Sequence, residues 1–220
     1  MDAKQRTRSS GLLPEDTLIT PIHIIGAGSI GSFTTLALSK MGFRDIATQD
    51  QDRVDDPNIG CQLFGPKDKD ILKVAALDEL MNRLCGSATF AITDKYEDEE
   101  LNASIIIAAV DNMQTRTNIF EAHVSKTKTL IDCRMGAETL LLYVVPLADT
   151  DACMKYAKTL YTSAEAHQEP CTMRSTAYTA LIAAGLIGLA VKEVVTNKPT
   201  RLKSIAWEIG GTEPIIERVS

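Results

Sequence analysis

Residues Ile22 to Ser32 read IHIIGAGSIGS, and no other string in the chain restricts the fold so tightly. An apolar β-type run breaks into Gly26-x-Gly28-x-x-Gly31 and continues as a helix-like stretch. Nineteen positions after Gly31 stands Asp50, at the end of a second strand-like run, DIATQD. Strand, glycine turn, helix, strand and acid in that order form the nucleotide-binding fingerprint. The segment Gly26, Ala27, Gly28, Ser29, Ile30 and Gly31 is then the phosphate turn. Gly26 permits the tight turn, Gly28 lets a phosphate approach the backbone, and Gly31 allows close helix–strand packing. The helix N-terminus adds free N–H groups and a positive dipole end. Asp50 is placed to accept from a ribose hydroxyl. The plainer alternatives are a turn that only packs and an Asp50 that only caps the following loop.

The 220 residues suffice for one well-buried domain and are few for two. With 45% hydrophobic and 24% charged residues the chain is not disordered. A net charge of −6 disfavours nucleic acid or anionic membrane as a partner for the whole surface. The opening MDAKQRTRSS has no apolar core and does not read as a secretory signal. The most apolar long stretch, Ala177 to Val195, is interrupted by Lys192 and Glu193, so a buried helix is expected rather than a membrane span. Five scattered cysteines (Cys61, Cys85, Cys133, Cys153, Cys171) suit reduced thiols and a cytoplasmic protein. No CxxC pair occurs and the three histidines lie far apart, so no zinc is expected.

Residues 1–20, with Lys4, Arg6 and Arg8, read as an arm or short helix outside the sheet; residues 21–220 form the domain. Strands are expected at Ile22–Ile25, Asp45–Asp50, Ala88–Thr93, Ser104–Val110, Lys128–Cys133 and Thr139–Pro146, the last buried on both faces. Helices are expected at Ser29–Met41, stopped by Gly42, at Ile71–Leu84 and at Met113–Ser125. The cluster Asp55-Asp56-Pro57-Asn58 opens a loop to about Asp70. The βαβαβ alternation predicts an α/β fold with a doubly wound, mostly parallel sheet. Past Ala148 come a helix (Asp151–Leu160), a loop (Tyr161–Arg174), the apolar helix and two short strands, Ser204–Ile209 and Pro214–Val219.

The residues after Asp50 indicate which nucleotide: Asp50-Gln-Asp52-Arg-Val54, Asn58, Cys61-Gln62, Phe64, Lys73, then Asp111-Asn112-x-x-x-Arg116. Together with GAGSIGS, this series resembles the ThiF/MoeB/ubiquitin-activating-enzyme superfamily from about Ile22 to Val145, and weakly on to Val195. The resemblance implies a Rossmann-like domain that uses Mg-ATP to adenylate a C-terminal carboxylate. It implies that Asp50 binds the ribose, that Asn58 and Gln62 line the nucleotide pocket with Asp52, Asn112 and Arg116, that Lys73 meets the phosphates, and that Asp111 holds Mg²⁺. It also implies a small ubiquitin-like or sulfur-carrier protein as partner, and a homodimer. The chemistry is consistent: a carboxylate attacking a phosphate brings two anions together, so a cation and a lysine must offset the repulsion. Mg²⁺ accepts few protein groups and hard oxygen ligands, which one aspartate at a strand end supplies.

Two departures stand out. Cys61 falls where the superfamily commonly has an arginine touching the ATP phosphates, so Arg6 or Arg8 of the arm is expected to supply the cation. The superfamily's CxxC zinc pairs are missing. Pro170-Cys171-Thr172 approximates the string that carries the thioester cysteine in the ubiquitin-activating branch, so Cys171 is a candidate nucleophile, with plain packing as the alternative. Cys133 and Arg134 are candidates for a groove holding the carboxylate tail, and a buried strand cysteine explains Cys133 equally well. Asp111-Asn112 also reads as a helix N-cap, Lys73 as a solvated lysine, and Arg116 as a structural ion-pair partner. Two rival functions remain open. An NAD(P)-dependent oxidoreductase leaves the Asn58, Lys73 and Asp111 series unexplained. A non-catalytic partner-binding module of the same fold draws support from Cys61.

Overall fold

The apolar run Ile22–Ile25 forms β1, and all four of its residues are buried, as a strand covered on both faces requires. The computed structural model describes residues 11–126, 128–161, 175–197, 203–211, 213 and 215–218. From β1 the chain enters α1 (Ser29–Met41), which ends at Gly42 with φ of 99°, a left-handed cap that glycine adopts without strain. Then come β2 (Ile46–Gln49), a short α2 (Asp56–Ile59), α3 (Lys73–Cys85) and β3 (Phe90–Ile92). β4 (Ile105–Ala108), α4 (Met113–His123), β5 (Thr129–Gly136) and β6 (Thr139–Pro146) come next. The order closes with α5 (Thr150–Ala157), α6 (Ala177–Asn197), β7 (Lys203–Glu208) and β8 (Ile215–Arg218).

One eight-stranded sheet runs β3-β2-β1-β4-β5-β6-β7-β8. Pairings from β3 through β5 are parallel, and those from β5 to β8 are antiparallel. This is the doubly wound α/β architecture expected from the βαβ alternation. The chain steps outward from β1 to β2 and β3, then crosses to β4 on the other side of β1. That reversal leaves a crevice at the carboxyl ends of β1 and β4, where open α/β sheets bind ligands.

Ile22 and Ile24 face a core completed by Leu38 of α1 and by Ala183, Ile187 and Val191 of α6. Ile25, Ile106 and Leu130 face a second core with Ile119 and Phe120 of α4 and Cys153 and Tyr156 of α5. A third cluster joins Val74, Leu77 and Met81 of α3 to Ala27, Val54 and Phe64. α6 is long and apolar enough to cross a membrane by length and composition. Its Ala180, Ala184, Ile187 and Val191 are nevertheless buried inside the domain. Trimming Ile187 to Ala would cost about 2–5 kcal/mol, as large-to-small core changes do.

Three expectations change, and a fourth, the short helix outside the sheet, is met with its Leu18 inside the core. The presumed loop after Asp55 contains α2, started by a capping box in which Asp55 and Asn58 bond each other's backbone. β5 runs three residues beyond Cys133, because it pairs with β6 through the tight turn at Ala137 and Glu138. β6 is not buried on both faces. Leu140, Leu142 and Val144 are buried, but Leu141 and Tyr143 are only half-buried, since the short α5 covers their side. Within the arm, Glu15–Ile19 is a short 3-10 helix whose Leu18 is fully buried in the core.

Candidate nucleotide site

Among the described residues, packing explains two glycines of the phosphate turn and not the third. Gly26 has φ of +96°, and a Cβ there would stand 2.6 Å from the Ala109 carbonyl oxygen. A Cβ on Gly31 would stand 1.9 Å from the Gly26 oxygen, so close helix–strand contact demands glycine. Gly28 is different: its nearest neighbour in the Cβ direction is Gln62 Nε2 at 3.9 Å. The space above Gly28, at the start of α1, is where a phosphate could meet the backbone.

Asp50 leaves the carboxyl end of β2 and reaches this turn directly. Its Oδ2 accepts from the Ala27 N–H at 2.7 Å, and its Oδ1 accepts from the Asp52 N–H at 2.8 Å. Each carboxylate oxygen keeps lone-pair capacity for a ribose hydroxyl. Asp50 therefore shapes the glycine turn as well as standing beside it.

Asp52, two residues after Asp50, pairs with Lys73. The Lys73 ammonium donates to Asp52 Oδ2 at 2.9 Å, with the lysine side chain 10% exposed and the aspartate 59% exposed. Lys73 is thus no solvated surface lysine. A small antiparallel ladder, Val54 N to Ile71 O and Lys73 N to Asp52 O, pins the start of α3 to the segment after β2.

Asn58 lies in α2, and Gln62 follows three residues after its end. The Asn58 Oδ1 accepts from the Asp55 N–H at 3.0 Å, so that oxygen is committed to starting α2. Gln62 is held by its backbone N–H on the Asn58 carbonyl, and the next residue, Leu63, donates to Ser32 Oγ of α1 at 3.1 Å. Among the described residues the Gln62 Oε1 is buried without a hydrogen-bond partner. Such a group costs free energy unless something else satisfies it, so it fits a site completed by a ligand. Cys61 is half-buried, and its Sγ faces the carbonyls of Pro57 and Asn58.

At the end of β4, the two readings of Asp111-Asn112 separate. Asn112 is the N-cap of α4, its Oδ1 accepting from the Thr115 N–H at 2.8 Å. Asp111 is exposed and is not the cap; Asn112 Nδ2 approaches its Oδ1 at 3.5 Å. An exposed carboxylate at a strand end fits a cation shared with nucleotide phosphates. No group of three or more His, Cys, Asp or Glu side chains able to hold a metal occurs among the described residues. The residues therefore fit an ion carried by a nucleotide rather than an all-protein cage.

Arg116 lies under the site rather than in it. It is buried, and its guanidinium donates to Asp132, to the Cys133 carbonyl at 3.2 Å and to the Val110 carbonyl. Cys133 is fully buried, and burial, with Asp132 beside it, pushes its thiol up to about 12. Arg134 stacks on the Tyr143 ring at 4.9 Å and donates to Asp132 and Thr159. Asp132 and Tyr156, which no sequence motif marks, join these arginines. The available signal is an acid inside an apolar strand, TLIDC, which burial obliges to find partners.

Beyond α5, the Ser175 hydroxyl donates to Ser29 Oγ at 2.7 Å. The approach to α6 therefore meets the first residue of α1, beside the glycine turn. Arg6, Arg8 and Cys171 lie outside the described residues.

A family model described as the ThiF family matches residues 16–219. The NEDD8-activating enzyme E1 catalytic subunit of Schizosaccharomyces pombe is 30% identical over 126 residues, which is 53% of this chain and 28% of that protein. The chain thus spans well under half the length of that relative. Among solved structures, E. coli MccB with AMPCPP and MccA superposes with a TM-score of 0.76 at 14% identity, covering 99% of this chain and 72% of that one. E. coli MccB with MccA-N7isoASN gives 0.79 at 14% identity over the same shares, 99% and 72%. PaaA gives 0.72 at 16% identity, covering 92% of this chain and 64% of the other. At these identities the structural likeness establishes the fold.

Proposed function

We propose a function from one premise: the chain belongs to the ThiF family. The protein is an adenylyltransferase that uses ATP to activate the C-terminal carboxylate of a protein or peptide. We assign as that substrate a small ubiquitin-like or sulfur-carrier protein ending in a free glycine carboxylate. The observation that carries this reading is Gly28. Among the described residues a Cβ there would meet only Gln62 Nε2, at 3.9 Å, while Asp50 bonds the adjacent Ala27 N–H and the N–H of Asp52, the ion-pair partner of Lys73.

In this reading the α-phosphate lies against the backbone of the Gly28 turn, and the ribose meets Asp50. The incoming carboxylate oxygen attacks the α-phosphorus, and the bond to the bridging oxygen breaks. Pyrophosphate leaves with that electron pair, and the products are acyl-adenylate and pyrophosphate. The attacking carboxylate is already ionised, so no general base is needed. Catalysis is positioning and charge offset. Lys73 supplies one positive charge, and Asp111 would hold the Mg²⁺ that neutralises the phosphates when bound. Arg6 or Arg8 supplies the cation that Cys61 does not. The reading carries two further expectations, a homodimer and a cytoplasmic location.

The test is ATP–pyrophosphate exchange with the purified protein and a carrier protein ending in Gly-Gly. Exchange that needs both Mg²⁺ and the free C-terminal carboxylate supports the reading. ATP binding without exchange, across carriers of both classes, would instead favour a non-catalytic nucleotide-binding member.

A further inference from the structure

Asp132 is a fully buried carboxylate that the reaction above does not use. It stands on β5 opposite Ala108, the last β4 residue in the ladder. Its Oδ1 accepts from Arg116 Nη1, while its Oδ2 accepts from Arg134 Nε at 2.8 Å and from the Tyr156 hydroxyl at 3.0 Å. One anion thus orients two guanidinium groups, each a rigid planar fork whose remaining donors point in fixed directions.

The two forks reach different places. Arg116 extends to the Val110 carbonyl, one residue before Asp111 and past the end of the β4–β5 ladder. Arg134 extends to the Thr159 carbonyl at 2.8 Å and its Oγ1 at 3.0 Å, just after α5. Replacing a buried ion-pair cluster by apolar residues is often neutral or stabilising, so stability is a poor account of why it is there. Its geometry offers a better one. We propose that Asp132 is a positioning residue: through Arg116 it fixes the Val110–Asp111 turn that presents the Asp111 carboxylate to the nucleotide.

The metal part of this inference rests on the adenylation reading; the positioning part does not. Hydrogen exchange by mass spectrometry on the full-length protein tests it without nucleotide. Arg116→Lys loses the fork to Val110, and Arg134→Lys loses the fork to Thr159. The expectation is that Arg116→Lys and Asp132→Asn speed exchange in the Asp111–Thr115 turn about tenfold, while Arg134→Lys leaves that turn at the wild-type rate. A second readout is electron paramagnetic resonance of Mn²⁺ bound with ATP. The same two variants should need about tenfold more Mn²⁺, the usual loss when a ligand's supporting partner is removed. ATP affinity without metal should stay within about twofold, because Asp50 and Gly28 are untouched.

Equal effects from Arg116→Lys and Arg134→Lys, or a wild-type turn in Arg116→Lys, would overturn the proposal. If Asp132→Asn fails to fold, the comparison of the two arginine variants decides alone. A wild type with no pyrophosphate exchange sinks the adenylation reading, yet the hydrogen-exchange result still judges Asp132.

Discussion

Asp52 and Lys73 are joined twice, by side chains at 2.9 Å and by Lys73 N–H to Asp52 O at 2.8 Å. The backbone bond fixes where α3 begins, and the side-chain bond holds the ammonium against Asp52, two residues after Asp50. The aspartate half of the pair is largely exposed, so the pair adds at most about 1 kcal/mol to stability. Its consequence is for the site. Lys73→Met should keep the thermal midpoint close to wild type while pyrophosphate exchange falls roughly 10–100-fold, the loss of one charge-assisted hydrogen bond. Unchanged exchange in Lys73→Met would return the lysine to a purely structural role.

The three glycines of the turn should separate fold from ligand. Gly28→Ala adds a methyl with, among the described residues, only Gln62 nearby, so melting should be near wild type while ATP binding weakens about tenfold or more. Gly31→Ala places its methyl 1.9 Å from the Gly26 oxygen and should destabilise the fold, as a forced backbone overlap does. Paired melting curves and ATP titrations check this. Normal ATP binding by Gly28→Ala would remove the observation on which the reading depends.

Neighbouring residues at the end of β4 should respond oppositely. Asn112→Ala removes the α4 N-cap and should cost about 1 kcal/mol in denaturant unfolding. Asp111→Asn leaves that cap in place and should cost little, but should abolish Mg²⁺-dependent exchange. Full exchange by Asp111→Asn would show that the carboxylate holds no ion.

Acid should weaken the fold through two buried histidines. Burial lowers the pKa of both His23 and His123 from 6.5. His123 Nε2 accepts from the Leu101 N–H at 3.1 Å, so a proton there would break that bond. His23 Nε2 faces Gln49 Oε1, and Gln49 Nε2 in turn donates to Glu99. Below 6.5 the unfolded chain binds more protons than the folded one, so stability is full above that value and falls as pH drops through the window beneath it. Denaturant midpoints should therefore decline from about pH 7.5 to about pH 5.5, and His123→Gln should flatten the decline. An unchanged slope in that variant would exclude His123 as a contributor.

The range of each sequence signal decides how much of the fold and site is legible in it. α1 starts and stops at the expected residues because glycines mark both of its ends and an apolar strand precedes it. The parallel order β2-β1-β4 arises from the alternation and the handedness of crossovers. The α2 cap made by Asp55 and Asn58 reads as a bare turn in sequence, since the same residue types serve turns and caps. Asp50, Lys73 and Asp111 are legible as a motif series. The buried set of Arg116, Asp132, Arg134 and Tyr156 is not, because no periodicity announces which distant side chains meet. Nor can spacing alone tell which of Asp111 and Asn112 caps α4, which needs the helix geometry.

The most direct test of the account is calorimetric titration of the wild-type protein with ATP, with and without Mg²⁺, against NAD. The account predicts ATP binding that tightens with Mg²⁺, far exceeds NAD binding and is lost in Gly28→Ala. Tight NAD binding with no ATP heat would contradict it and assign the glycine turn to an oxidoreductase.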